Sequence, residues 1–167
     1  MRIVKLIDKI SEWTGALAAW IVIPLVVVVL IDVFQRHVLN DPTRWGYDVL
    51  WMLFSAQFLL GGAFTLLRNG HIRIDIVYGI LSERTKLIYD IINTLVVILL
   101  PMVLFTWAGI VFAAEAWNSG ENLSSTNWAF PAGPSKSLIP IGFFFLALQC
   151  VAEIIRNLKI LRKGKSL

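Results

Sequence analysis

The stretch from Ile21 to Leu30 is apolar throughout apart from Pro24, and long apolar runs recur three more times along the chain. A helix that crosses a bilayer needs roughly 20 mostly apolar residues at about 1.5 Å rise each. Four such segments are read at about 13–34, 45–67, 87–116 and 138–155, with Pro24 expected to kink the first and Pro101 near the middle of the third. A chain of 167 residues that is 57% hydrophobic and 16% charged carries more apolar surface than a soluble core of its size could bury. The sequence therefore predicts an all-α integral membrane protein with four transmembrane helices, a single membrane domain over 1–167 with no room for a separate soluble unit. The first run is too long for a cleaved leader, and Phe34-Gln35-Arg36-His37 offers no small-residue cleavage pattern, so the first helix is expected to stay in the mature protein. Trp13, Trp45, Trp117 and Trp128 fall at or beside the ends of the segments, as an aromatic belt requires.

The basic residues set an orientation. Arg2, Lys5 and Lys9 precede the first segment; Arg68, Arg73, Arg84 and Lys86 lie between the second and third; Arg156, Lys159, Arg162, Lys163 and Lys165 close the chain. These are twelve of the fifteen Lys and Arg, and only Arg36, Arg44 and Lys136 lie on the other side. The positive-inside rule places the twelve in the cytoplasm, so both termini are expected there (N-in/C-in). Because these charges cluster beside apolar runs and not along a soluble face, they exclude a nucleic-acid partner. Between the second and third segments, Ile72, Ile76 and Ile80 recur at helical spacing among Arg73, Asp75, Glu83 and Arg84. This pattern predicts a short amphipathic interfacial helix over about 70–86, although Ile72, Ile74 and Ile76 also alternate. The connection 118–137, rich in Ser, Asn, Gly and Pro, is expected to be irregular.

Catalysis or ion conduction within a membrane needs ionisable groups in its interior. Asp32, Asp48, Asp90, Glu115 and Glu153 all lie within about two turns of a segment end, where they are read as anchors or partner contacts. Gln57 and Asn93 lie deeper and are expected to hydrogen-bond between helices. His37 and His71 follow their segments on opposite sides and cannot share one haem. The single Cys150 excludes an internal disulfide and a multi-cysteine metal site. With no glycine-rich phosphate loop, nucleophile motif or carboxylate pair, no catalytic residue, cofactor or metal is expected, and the chain is not read as an enzyme.

Two stretches are more specific than a generic bundle. The first runs Asp32-Val-Phe-Gln-Arg36-His-Val-Leu-Asn40-Asp-Pro42-Thr-Arg-Trp45 and on through Asp48 to Leu60-Gly-Gly-Ala63; the second is Arg68-Asn-Gly70-His71-Ile-Arg73-Ile-Asp75. Together with Ile139-Pro140-Ile-Gly142, they resemble the small membrane subunit of the tripartite ATP-independent periplasmic (TRAP) transporters, the DctQ-like family, across nearly the whole chain. Where many of that family carry Glu soon after the Trp that opens helix two, this sequence has the shorter Asp48. The resemblance implies a bacterial inner-membrane secondary transporter, in which a periplasmic substrate-binding protein captures an organic acid and a large membrane (M-type) subunit moves it with sodium. The small subunit would scaffold that large one, giving an elevator-type domain a fixed frame. The acid could be a dicarboxylate, a sugar acid or a sialic acid.

On this reading Arg36, Arg44, Trp45 and Asp48 form a candidate partner-contact cluster on the outer side, either an ion-paired docking patch for the binding protein or solvated anchors. His71, Arg73 and Asp75 are candidate contacts to the large subunit or to headgroups. Ser55, Ala56, Gly61 and Gly62 are helix-packing candidates, and Arg156, Lys159, Arg162 and Lys163 are candidate contacts to anionic membrane lipids. Two rivals stand beside this reading. A membrane anchor of a respiratory redox enzyme would need a bound haem or quinone, and a self-assembling small channel or exporter would need a continuous polar face.

Overall fold

The computed structural model describes residues 2–68, 82–123 and 128–163. Helix α1 (Arg2–Phe34) continues into a π-helical turn over Gln35–Leu39, and α2 spans Gly46–Leu67. Helix α3 (Glu83–Asn93), a second π-helical turn (Thr94–Leu99) and α4 (Leu100–Ser119) form one rod, and α5 spans Ala132–Lys163. Among the described residues four helical units are long and apolar enough to cross a membrane: Arg2–Leu39, Gly46–Leu67, Arg84–Ser119 and Ala132–Arg162.

Three of these overrun the apolar segments read from the sequence. The first holds 38 residues, about 57 Å of helix at 1.5 Å per residue against a hydrocarbon core of about 30 Å. Hydropathy marks where the solvent changes, not where the helix stops, and the flanking Lys, Glu and Arg are good helix formers. Of the expected interfacial helix over 70–86, residues 69–81 lie outside the described residues. The remainder opens the third rod, where the Ser82 hydroxyl accepts from the Thr85 N–H at 3.3 Å and so caps α3.

The π-helical turn before Pro101 has a physical reason. A proline ring inside an α-helix collides with the carbonyl four residues back and leaves one acceptor unpaired. Here the Leu100 N–H donates to the Leu95 carbonyl, five residues back, so the ladder is widened ahead of Pro101 and the rod continues through it.

The 118–137 connection is more ordered than its composition suggests. Helix α4 runs on to Ser119 and stops at Gly120, whose φ of 63° suits glycine and whose N–H returns to the Ala116 carbonyl. The Leu123 N–H then donates to the Phe130 carbonyl and the Ala132 N–H to the Glu121 carbonyl, each at 2.8 Å, around a bridge between Asn122 and Pro131. Helix α5 therefore begins at Ala132, before the predicted segment does.

Helix α5 is the hub. It packs on α2 and α4 and, less extensively, on α1, α3 and the second π-helical turn, while α1 packs along α2. Lipid offers helices no hydrophobic gain for associating, so close approach must supply the contact. A Cβ on Gly142 of α5 would sit 2.5 Å from the Leu59 Cβ of α2. One on Gly109 of α4 would meet Ile139 at 3.0 Å and Pro140 at 3.1 Å, and one on Gly15 of α1 would run into the Phe64 ring of α2. The Ile139-Pro140-Ile-Gly142 stretch is thus where α5 touches α4 and α2 at once. The core is small, built from residues such as Ala18, Ala63, Ala113, Ala116 and Ala152, whereas Trp20, Phe58 and Trp107 are more than 70% or about 70% exposed. Large side chains point outward, as a bundle whose solvent is lipid permits.

Candidate functional site

The polar side chains gather at two opposite ends of the bundle. At the end that carries both termini, α1 presents Asp8 and Ser11 toward α5. Ser11 is 1% exposed and donates to Gln149 Oε1 at 2.7 Å; Gln149, itself fully buried, donates through Nε2 to Asp8 Oδ1 at 3.2 Å. The Arg156 guanidinium lies between two carboxylates, 2.8 Å from Asp8 Oδ1 and 2.7 Å from Glu153 Oε2. Thr14 returns its hydroxyl to the Ser11 carbonyl at 3.1 Å. Among the described residues no buried side-chain nitrogen or oxygen lacks a partner, which is what burial in a low-dielectric setting demands. Nearby, Arg68 at the end of α2 approaches Glu12 at 3.8 Å and lies 5.2 Å from the Phe64 ring centroid.

At the far end, Asp32 accepts from Arg36 at 2.9 Å, one turn on, and from the Thr43 hydroxyl. A Cβ on Gly46 would collide with Thr43, so glycine there lets the 40–45 turn fold back over Asp32. Asp48 sits in the first turn of α2, where the helix dipole favours a carboxylate, and is 3% exposed and engaged within the fold. Across the same end, Lys136 of α5 pairs with Glu121 at 2.5 Å and lies 3.9 Å from the Phe112 ring centroid. Trp117 donates to the Ser137 hydroxyl at 3.0 Å, and Trp128 stacks on Phe130 with centroids 4.6 Å apart.

The residues singled out from the sequence fall as follows. Arg36, Arg44, Trp45 and Asp48 share the far end; the ion-pair partner of Arg36 is Asp32, Arg44 is exposed, and Trp45 stands at the N-cap position of α2 with no side-chain capping bond. His71, Arg73 and Asp75 lie outside the described residues. Gly61 and Gly62 face Ala18 and Leu146 at ordinary contact distance, where a Cβ would sit 3.8 Å away, and Ser55 and Ala56 are half-buried on the same helix. The guanidinium of Arg156 points inward to Asp8 and Glu153, while Lys159 and Arg162 line a surface cleft and Lys163 ends α5.

Asp8, Ser11 and Gln149 are absent from the sequence-based candidates. A signal for them exists: Gln149, Glu153 and Arg156 stand at i, i+4 and i+7, which puts three polar side chains on one face of the helix.

Comparison with known proteins places this arrangement in context. A family model described as "Tripartite ATP-independent periplasmic transporters, DctQ component" matches residues 25–160. The chain is 23% identical over 153 residues to the sialic acid TRAP transporter permease protein SiaT of Haemophilus influenzae, covering 88% of this chain and 23% of that protein. It is 24% identical over 91 residues to the C4-dicarboxylate TRAP transporter small permease protein DctQ of Vibrio cholerae, covering 54% of this chain and 38% of that one. It thus spans about a quarter of the length of the first relative and under two-fifths of the second.

Proposed function

Because the chain belongs to the DctQ component family of the tripartite ATP-independent periplasmic transporters, we propose that it is the small, non-catalytic membrane subunit of such a transporter. In this reading it sits in a bacterial inner membrane with both termini in the cytoplasm. It scaffolds a large permease subunit during sodium-coupled, binding-protein-dependent uptake of an organic acid. The observation that carries the proposal is the distribution of charge. Ionisable side chains lie toward the two ends of the spans, while the middle of each is apolar apart from groups such as Gln57 and Thr106. Among the described residues an ion or a carboxylate crossing through the spans would meet no ionisable partner at mid-depth, which supports a path through another subunit.

A supporting frame needs a fixed internal geometry and a broad lipid- or partner-facing surface. The Asp8–Gln149–Arg156 network and the close glycine contacts supply the first, and the exposed Phe, Trp and Leu side chains supply the second. The names of the two relatives point to different acids, a sialic acid and a C4-dicarboxylate. That difference fits a subunit that does not select the substrate. The far-end residues Arg36, Arg44 and Trp45 are the docking candidate for the binding protein, with the buried Asp48 able to act only by positioning them, and the His71-Ile-Arg73-Ile-Asp75 segment is the candidate contact to the large subunit.

The test is gentle purification of the tagged chain from its native membrane, with mass spectrometry of what stays bound and an absorbance spectrum. A stoichiometric polytopic partner without a haem band is the expected outcome. A flavin or iron–sulfur partner with a haem band would overturn the proposal. Unchanged uptake in both Arg44→Ala and Asp48→Ala would remove those two residues from the docking patch.

A further inference from the structure

A cleft of about 520 Å³ opens between the first turns of α1 and the last turns of α5. It is lined by the apolar Val4, Ile155 and Ile160 and by the cations Lys5 on α1 and Arg156, Lys159 and Arg162 on α5. These cations are not equivalent. Arg156 is held by Asp8 and Glu153, whereas Lys5, Lys159 and Arg162 pair with no carboxylate among the described residues. The partial negative charge at the C-terminus of α5, about half an elementary charge, is smaller than the charge those three carry.

The cleft lies where α5 leaves its apolar segment, close after Ile155. It joins an apolar trough to a cluster of unbalanced positive charge at the level where hydrocarbon gives way to headgroups. A soluble anion would use the cations and leave the apolar lining wet, and a neutral chain would use the apolar lining and leave the cations unmatched. An anionic phospholipid satisfies both. We propose that this cleft binds one anionic phospholipid of the leaflet on the terminus side, its phosphate held between Lys5 and the Lys159/Arg162 pair and an acyl chain lying along Val4, Ile155 and Ile160. The bound lipid bridges α1 and α5 over the same end as the Asp8–Arg156 ion pair, so it adds a second tie between the first and last spans. Arg156 serves as the wall of the site and not as its headgroup ligand. The inference is independent of which large subunit the chain assembles with.

Native mass spectrometry of the full-length chain, delipidated and then titrated with phosphatidylglycerol or phosphatidylcholine, tests it. One phosphatidylglycerol should bind in preference to phosphatidylcholine, and Lys5, Lys159 or Arg162 replaced by Gln should each lower that preference about fivefold. The combined variant Lys5→Gln, Lys159→Gln, Arg162→Gln should bind the two lipids alike, while Lys159→Arg should behave as the parent. Arg36→Gln with Arg44→Gln removes positive charge at the far end and should leave the preference intact. Circular dichroism of each variant checks that the helices persist. Equal binding of the two lipids by the parent would overturn the proposal. So would a preference lost equally in the far-end variant, or displacement of phosphatidylglycerol by millimolar inorganic phosphate alone.

Discussion

The two polar ends of the bundle are built differently. At the terminus end, hydrogen bonds join residues 138 to 148 positions apart, Ser11 to Gln149 and Asp8 to Arg156, and the groups are buried or mostly so. At the far end, Asp32 and Arg36 are one helical turn apart and Lys136 and Glu121 are 15 positions apart, with Arg36 and Glu121 about half exposed. Polar contacts at the terminus end decide which helices are neighbours; those at the far end finish helices whose neighbours are set elsewhere. In lipid this distinction matters, because polar contacts and close packing are what specify helix partners there. One end is a clasp and the other a set of local trims.

The largest expected effect is on the clasp. Arg156→Ala leaves Asp8 and Glu153 without the cation between them, and removing one member of a buried ion pair costs about 3–5 kcal/mol. The side chains of Arg156 and Asp8 are about a third exposed, so solvent screening lowers the expectation to about 2–3 kcal/mol. Unfolding in mixed micelles followed by tryptophan fluorescence should show that loss. A cost no greater than that of Arg36→Ala would erase the contrast between the ends. Gln149→Leu should cost less, about 1 kcal/mol, in the range of membrane interhelical hydrogen bonds. The released Ser11 hydroxyl can turn back to a carbonyl in its own helix, which limits the loss. A double-mutant cycle with Ser11→Ala should give a non-additive energy, and strict additivity would mean that the 2.7 Å bond contributes nothing.

This contrast also explains what could be read from the sequence. The four spans were legible because 20 apolar residues have few other uses, and the family was legible through short motifs such as Gly70-His71-Ile-Arg73-Ile-Asp75. The clasp was not, because pairing Asp8 with Arg156 requires knowing that the first and last spans touch, and no local pattern encodes that. Gly61 and Gly62 stand out in sequence because they are adjacent, yet the tightest approaches between helices fall at Gly15 and Gly142. Which glycine meets a neighbour depends on the rotation of each helix about its axis, which the contacts of the whole bundle set. The widened turn before Pro101 was equally hidden: a proline announces a disturbance, but not whether the helix breaks, kinks or opens by one residue.

A smaller effect is expected at Lys136, where the ammonium serves both Glu121 and the face of Phe112. Lys136→Met should cost about 0.5–1 kcal/mol, since it keeps the aliphatic stem and removes the charge. Lys136→Arg should recover most of that loss, and a cost matching Arg156→Ala would turn this local pair into a second clasp.

The smallest effect should come from Arg36→Ala, at most about 0.5 kcal/mol, for two reasons that set it apart from Arg156. Its guanidinium is mostly exposed, so water replaces the lost pair, and Asp32 keeps the Thr43 hydroxyl when Arg36 is gone. Salt sharpens the comparison further. At 1 M NaCl the screening length falls to about 3 Å, which should remove the Arg36 contribution while leaving more of the Arg156 contribution, because the Asp8–Arg156–Glu153 contact is partly buried and is screened less. Stability measured for both variants at low and high salt gives four values and one decisive difference. If salt reduces the two losses in equal proportion, both ends are surface electrostatics and the clasp is no clasp; if only the Arg36 loss disappears, the bundle is held from the end that carries its termini.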